Sequence, residues 1–261
     1  MAELSLYRKY RPGSLAEVVG QDHVVRVLGG ALKLGHITHA YLFAGARGTG
    51  KTSVARILAK AVGCEPVDLY EIDAASNRGI DEIRELREAV RAMPFTSPYK
   101  VYIIDEAHML TREAFNALLK TLEEPPDHVI FILATTEVHK LPDTIVSRCQ
   151  TFNFRRPGVA EIGRVLLEIA KAEGLALAPA AAELLALFGE GSFRDAIGLL
   201  QKVISASPAK KLTAEEVGNI IGAPPAQLVE RLCRGLLDQD LPASLGVVAE
   251  ARRQGYDMRV L

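Results

Sequence analysis

Gly45-Ala46-Arg47-Gly48-Thr49-Gly50-Lys51-Thr52 decides how this chain is read. An apolar run over residues 40–44 leads into it, and residues 53–62 continue with helical periodicity. Strand, glycine-rich loop and helix, in that order, make a phosphate-binding loop. Gly45, Gly48 and Gly50 let successive backbone N–H groups curl around a polyphosphate, and the helix N-terminus adds partial positive charge. Thr49 and Ser53 complete the loop and helix start that would face the phosphates. Lys51 reaches the β- and γ-phosphates as a point charge, and the Thr52 hydroxyl holds a magnesium ion. The stretch reads as a nucleoside triphosphate site.

Further apolar runs at residues 67–72, 101–104 and 129–134 alternate with helical stretches over 80–91 and Arg112–Glu123. In the second helix Ala114, Phe115, Leu118, Leu119 and Leu122 recur at helical spacing before Pro125-Pro126 stops it. Alternation of this kind predicts an α/β fold with a parallel sheet covered on both faces, its ligands at the carboxyl ends of the strands. After Arg155-Arg156-Pro157-Gly158 the pattern turns helical, with candidates at 160–173, Pro179–Phe188, Phe193–Ala206 and Ala214–Ile221. Thr213 and Glu216 have capping-box spacing for the last. Gly222-Ala-Pro-Pro marks a second boundary, followed by one complete helix and the start of another. The domains expected are 1–156, 157–221 and 222–261. The stop at Val260-Leu261, without a capping signal, suggests an unfinished third domain.

Composition narrows the function classes. Lys and Arg total 31 against 32 Asp and Glu, so a nucleic-acid contact needs a local surface, not a basic field. No stretch is long and apolar enough for a membrane span, and the first residues lack a signal peptide's apolar core. Cys64, Cys149 and Cys233 are too far apart for a disulfide framework or a metal-ligand pair. A soluble, cytoplasmic protein with no membrane partner is expected.

Residues 101–104 run into Asp105 and Glu106, an apolar strand ending in two carboxylates. Asp105 suits the magnesium that bridges phosphates, and Glu106 is placed to polarise a water for in-line attack. Thr135-Thr136 ends the next strand, where a hydroxyl reads either as a partner of that water or the γ-phosphate, or as a plain turn. Arg148, in Ser147-Arg148-Cys149 before the strand Gln150–Phe154, reads either as a finger projecting into a neighbouring subunit's site or as a solvated arginine. Arg194 follows the helix cap Ser192. A cation in a first helical turn opposes the helix dipole and needs an outside partner, a role that a γ-phosphate would fill. His36 and His39 have no acidic or thiol companions.

These residues, together with Leu6-Tyr-Arg-Lys-Tyr-Arg-Pro12, Glu17-Val-Val-Gly-Gln21, Asp105-Glu-Ala-His-Met-Leu110, Phe115-Asn-Ala-Leu-Leu-Lys-Thr-Leu-Glu-Glu-Pro-Pro126 and Gly191-Ser-Phe-Arg-Asp195, occur in order. Over residues 4 to about 222 the chain closely resembles the gamma/tau family of bacterial DNA polymerase III, the ATPase subunits of clamp loaders. The resemblance implies an AAA+ module: a RecA-like P-loop domain, a small three-helix lid and a helical collar that oligomerises. It implies ATP and magnesium as cofactors, and a heteropentamer with delta- and delta-prime-type subunits in which Arg148 completes the neighbour's site. Thr136 and Arg194 would be the first and second sensors, and Tyr7, Arg11, Pro12 and Val19 would flank the base. The implied function is an ATPase motor that opens the sliding clamp and loads it on primer–template DNA, tied to the polymerase III core through a longer C-terminal form. The alternative is a nucleotide-gated scaffold subunit with negligible turnover, against which the complete set Lys51, Thr52, Asp105, Glu106 and Arg148 argues.

The chain departs from the family pattern at two places, one of them the stop at Leu261, inside what would be the collar. Members usually carry a four-cysteine zinc module after the P-loop helix, whereas Cys64 here runs directly into Glu65-Pro66-Val67, so no zinc is expected. For DNA the candidates are Asn77 and Arg78 at the start of the helix over 80–91, and Arg112; each reads equally as a solvated helix start. Asp105-Glu-Ala-His108 also spells a helicase motif, but such an enzyme needs two RecA-like domains and the second half here is helical. No acidic constellation beyond Asp105 and Glu106 supports a polymerase site in this chain.

Overall fold

The structure, a computed structural model, describes residues 5–76, 85–86, 88–207 and 210–256. It divides into two compact units, Arg11–Pro157 and the described residues of Met1–Tyr10 with Gly158–Leu261. Asn77, Arg78 and much of the helix expected over 80–91 lie outside the described residues.

In the first unit five parallel strands, β1 (Ala40–Gly45), β2 (Leu69–Asp73), β3 (Lys100–Asp105), β4 (Val129–Thr135) and β5 (Gln150–Phe154), stand in the order β2-β3-β4-β1-β5. Every residue of β4 is buried, which is why it reads as one unbroken apolar run. Side chains alternate between the faces. Tyr41, Phe43, Ile103 and Ile132 pack beneath Val24 and Leu28 of α2 (Asp22–Leu34) and Val54 and Leu58 of α3 (Lys51–Ala61). Leu42, Tyr102, Ile104 and Leu133 pack on the other face against Phe115, Leu118 and Leu122 of α4 (Arg112–Glu123).

Two boundaries shift for local reasons. The run over 67–72 becomes a strand only from Leu69, after a 3-10 turn at Pro66–Asp68. The buried Asp68 carboxylate turns aside there to accept N–H groups from Phe95, Thr96 and Ser97 at 2.7, 3.0 and 3.0 Å. Helix α3 begins two residues before the expected position, because Gly50 at φ 101° already makes the turn into it.

The second unit contains the four helices read from the sequence between residues 157 and 221, one more than the three-helix lid that the resemblance implies: α6 (Val159–Ala172), α7 (Pro179–Phe188), α8 (Phe193–Ala206) and α9 (Ala214–Ile221). Ser192 and Thr213 cap α8 and α9 through their side-chain oxygens. The expectation of helices alone needs correcting, since Ala176–Leu177 and Lys211–Leu212 pair as parallel strands. Two residues are too few to show a period of two. The stretch after Gly222 forms two whole helices, α10 (Ala226–Leu237) and α11 (Leu241–Arg253), where one and a beginning were expected. Asp240 supplies the missed cap, accepting the Ala243 N–H at 2.9 Å.

The N-terminal segment also differs from the sequence reading, which placed residues 1–10 with the sheet. Helix α1 (Leu6–Lys9) packs with the helical unit: Leu6 is buried in its core, the Leu6 N–H donates to Gln201 Oε1 at 3.1 Å, and Lys9 pairs with Glu173 at 2.7 Å. α5 (Asp143–Val146) completes the labelled helices.

Candidate active site

β1 ends at Gly45, whose backbone must pass β5. A Cβ there would meet the Phe154 carbonyl oxygen at 2.4 Å, so glycine is required by the sheet as well as by the loop. Gly48 and Gly50 take φ values of 74° and 101°, the left-handed region that turns the chain into α3. Thr49 closes the loop on itself, its hydroxyl donating to the Ala46 carbonyl at 2.9 Å, which leaves only its backbone N–H to offer outward. Behind the loop lies the fully buried Gln21, which donates to Arg155 O at 2.8 Å and accepts the Arg155 N–H at 3.1 Å.

Lys51 opens α3 with its ammonium group laid on the carbonyls of Gly45 and Ala46, at 2.8 and 2.9 Å. Burial pushes its pKa below the ordinary value, while the charges of Glu106 and Asp105 pull it back up. Next along, the Thr52 hydroxyl donates to Asp105 Oδ2 at 2.8 Å, and Ser53 follows within the helix's first turn. The structure therefore brings together, from a helix start and a strand end, two oxygen-bearing side chains of the kind a hard cation takes.

Asp105 Oδ1 accepts the N–H of Glu106 at 2.9 Å. Glu106 has φ 48° and ψ 43°, a left-handed backbone for a residue with a side chain. Such a conformation costs on the order of 1–3 kcal/mol and persists only where its surroundings fix it. Its carboxylate oxygen Oε2 accepts the Thr136 hydroxyl at 3.1 Å. The β1–β4 register sets Thr135 opposite Ala44, so Thr136 lies just past the sheet edge from which the loop departs. Gly45, Ala46, Arg47, Glu106, Thr136 and Arg156 line a cleft of about 560 Å³ at this edge.

Sequence reasoning missed the groups around Glu106. His108 lies 3.5 Å from Glu106 Oε2, 3.0 Å from Thr135 Oγ1 and 3.2 Å from Glu137 Oε2, with 6 % of its side chain exposed. The helicase spelling drew attention to His108, but its partners come from the end of β4, which no local pattern reveals.

Arg148 lies at the opposite edge of the sheet, beside the starts of β1, β4 and β5. Its guanidinium donates to Thr144 O at 2.8 Å and pairs with Glu123 at 2.7 Å. Arg112 is exposed at the start of α4, where Thr111 caps the helix. Arg11, Pro12 and Val19 are half-buried in the same unit. Tyr7 and Arg194 belong to the other unit, where the Arg194 guanidinium carbon lies 5.0 Å from the Tyr7 ring centroid.

The family model described as "DNA polymerase III, delta subunit" matches residues 20–77 and 67–158, more than half of the chain. The chain is 46 % identical to DNA polymerase III subunit tau of Bacillus subtilis, over 98 % of its own length and 49 % of that protein. It is 42 % identical to subunit tau of Escherichia coli, over 98 % and 43 %. With DNA polymerase III subunit gamma of Buchnera aphidicola it shares 38 % identity, over 90 % of this chain and 69 % of that protein. The chain thus spans about half the length of the tau relatives it matches. Its alignment with the Bacillus protein runs over 279 positions, more than the 261 residues here, so that relative carries residues this chain lacks. Among solved structures it resembles Thermotoga maritima RuvB, with a TM-score of 0.68 at 23 % identity over 94 % of this chain and 88 % of that one. At that identity the likeness shows the fold, a P-loop α/β unit followed by helices.

Proposed function

The chain belongs to the gamma/tau family of DNA polymerase III subunits, and from that membership we propose that it is an ATPase motor of a bacterial clamp loader, opening the sliding clamp and loading it on primer–template DNA. The observation that carries the enzymatic part is the joined row Thr52–Asp105–Glu106–Thr136, held by bonds of 2.8, 2.9 and 3.1 Å beside the glycine loop. Thr52 and Asp105 would hold magnesium, which neutralises charge on the phosphates when bound. The loop N–H groups and Lys51 bind and orient the triphosphate. Glu106 accepts a hydrogen bond from the attacking water, and Thr136 keeps that carboxylate in place. Arg148, turned out at the other edge of the sheet, serves the site of an adjacent subunit. Arg194 and Tyr7, already in contact with each other, form the lid's contribution to the nucleotide.

Among the described residues no cluster of His, Cys, Asp or Glu fits a zinc ion. Zinc sites of the structural kind take four deprotonated nitrogen or sulfur ligands. Cys64 is the lone cysteine of its neighbourhood, its thiol hydrogen-bonded to the Glu65 carbonyl and pushed up in pKa by burial. The partners proposed are delta- and delta-prime-type subunits, the clamp and primed DNA, in the cytoplasm. Among the described residues no helix is long and apolar enough to cross a membrane.

The test is ATP turnover by the full-length protein, mixed with its partner subunits, with and without clamp and primed DNA. The motor requires turnover that rises strongly only when clamp and primer junction are both present. Tight ATP binding with turnover near zero under every condition would establish the nucleotide-gated scaffold instead.

A further inference from the structure

We propose that His108 is a positioning residue for hydrolysis, holding the end of β4 so that the Thr136 hydroxyl meets the Glu106 carboxylate. The inference rests on the reading of Glu106 as the group that polarises water. Three contacts define the histidine. Its Nε2 lies 3.2 Å from Glu137 Oε2, an acceptor only, so Nε2 carries a hydrogen. Its Nδ1 lies 3.0 Å from Thr135 Oγ1, which itself accepts the Glu137 N–H at 3.0 Å. Nδ1 therefore accepts the Thr135 hydroxyl, and Glu106 Oε2, 3.5 Å away, is its neighbour and not its hydrogen-bond partner.

The ring therefore ties down Thr135 and Glu137, the residues on either side of Thr136. Lys140 pairs with Glu137 at 2.7 Å, so the histidine's carboxylate partner is itself anchored. Between those two residues, the Thr136 hydroxyl donates to Glu106 Oε2 at 3.1 Å. This explains how a left-handed glutamate stays in place. Its backbone strain has to be balanced by contacts around it, and the Thr136 hydroxyl, set in place by the histidine, is one such contact. The geometry also makes Glu137, the residue after the threonine pair, an outer member of the same row.

The experiment compares wild type with His108→Ala, His108→Asn and Glu137→Gln in the full-length protein assembled with its partner subunits. ATP affinity and steady-state turnover are measured for each. His108→Ala is expected to lower kcat by about ten-fold or more while ATP affinity stays within about two-fold, the pattern of a group acting after binding. His108→Asn keeps a polar group at the Nδ1 position and is expected to recover part of the loss. Glu137→Gln weakens the anchor without opening a cavity, and is expected to lower kcat in the same direction by less. An unchanged kcat in both His108→Ala and Glu137→Gln overturns the proposal. So does an equal loss of affinity and turnover in His108→Ala and His108→Asn, which would mark a merely structural role. Wild-type turnover near zero would instead sink the motor reading on which the proposal rests.

Discussion

The two edges of one parallel sheet are built differently. At the carboxyl edge Lys51, Thr52, Asp105, Glu106 and Thr136 are tied to one another or to the loop, and the chain makes a left-handed turn at Glu106 to do it. At the amino edge Arg148 and Glu123 form a partly exposed pair, with side chains 35 % and 48 % accessible, beside a cleft of about 380 Å³. Exposed pairs contribute little to stability, typically below about 1 kcal/mol. The first edge is organised inward, as a site that works on its own ligand must be. The second is organised outward, holding a cation where another molecule can meet it. Helix α4 runs between them: it starts just after the Asp105–Leu110 segment and ends at Glu123, a span of about 18 Å at 1.5 Å per residue.

Substitutions at each edge should therefore fail in different ways. Arg148→Ala is expected to cut turnover by about 10³-fold while ATP binding stays intact, as removal of an arginine finger does. A matching loss of binding would place the arginine in its own subunit's site and break the contrast. Lys51→Ala acts at the other edge and is expected to abolish tight ATP binding; unchanged affinity would contradict the loop's assignment. Glu123→Gln sharpens the picture. It frees Arg148 from its 2.7 Å partner without removing it, so turnover should fall by less than about ten-fold with affinity unmoved.

The smallest effect concerns stability alone. Burial would raise the Asp68 pKa, but N–H groups of Phe95, Thr96 and Ser97 and the Ser97 hydroxyl outweigh it and hold the carboxyl well below the usual carboxylate range. A depressed folded-state pKa gives stability that is present above the ordinary value of about 4 and lost as pH falls towards the folded one. The Tm difference between wild type and Asp68→Asn should be full near neutral pH and narrow steadily below pH of about 4. A gap that stays constant into acid would show that the carboxylate's charge is not what fixes this loop.

Much of the fold was legible because parallel strands covered on both faces must be continuously apolar, and β1, β3 and β4 read so. Caps such as Ser192 and Thr213 were legible because their partners lie three residues on. The glycine loop and Asp105-Glu106 were legible for the same reason: their chemistry is contiguous in the chain. What escaped is made of contacts between distant segments. His108 meets Thr135 across 27 residues, Arg148 meets Glu123 across 25, and Leu6 meets Gln201 across 195. The left-handed turn at Glu106 escaped because no composition rule demands it there. Asp68 interrupted an apolar run for the sake of a loop that begins 27 residues later.

The most direct test of the contrast mixes two inactive proteins. Full-length chains carrying Arg148→Ala and Glu106→Gln are assembled together with the partner subunits, and ATP turnover is compared with that of assemblies made from each alone. If the two edges serve different subunits, an Arg148→Ala chain with its intact Glu106 beside a Glu106→Gln chain with its intact Arg148 forms one complete site, and the mixture regains turnover. If both residues act within one chain, every site in the mixture lacks one of them, and turnover stays at the level of the separate variants.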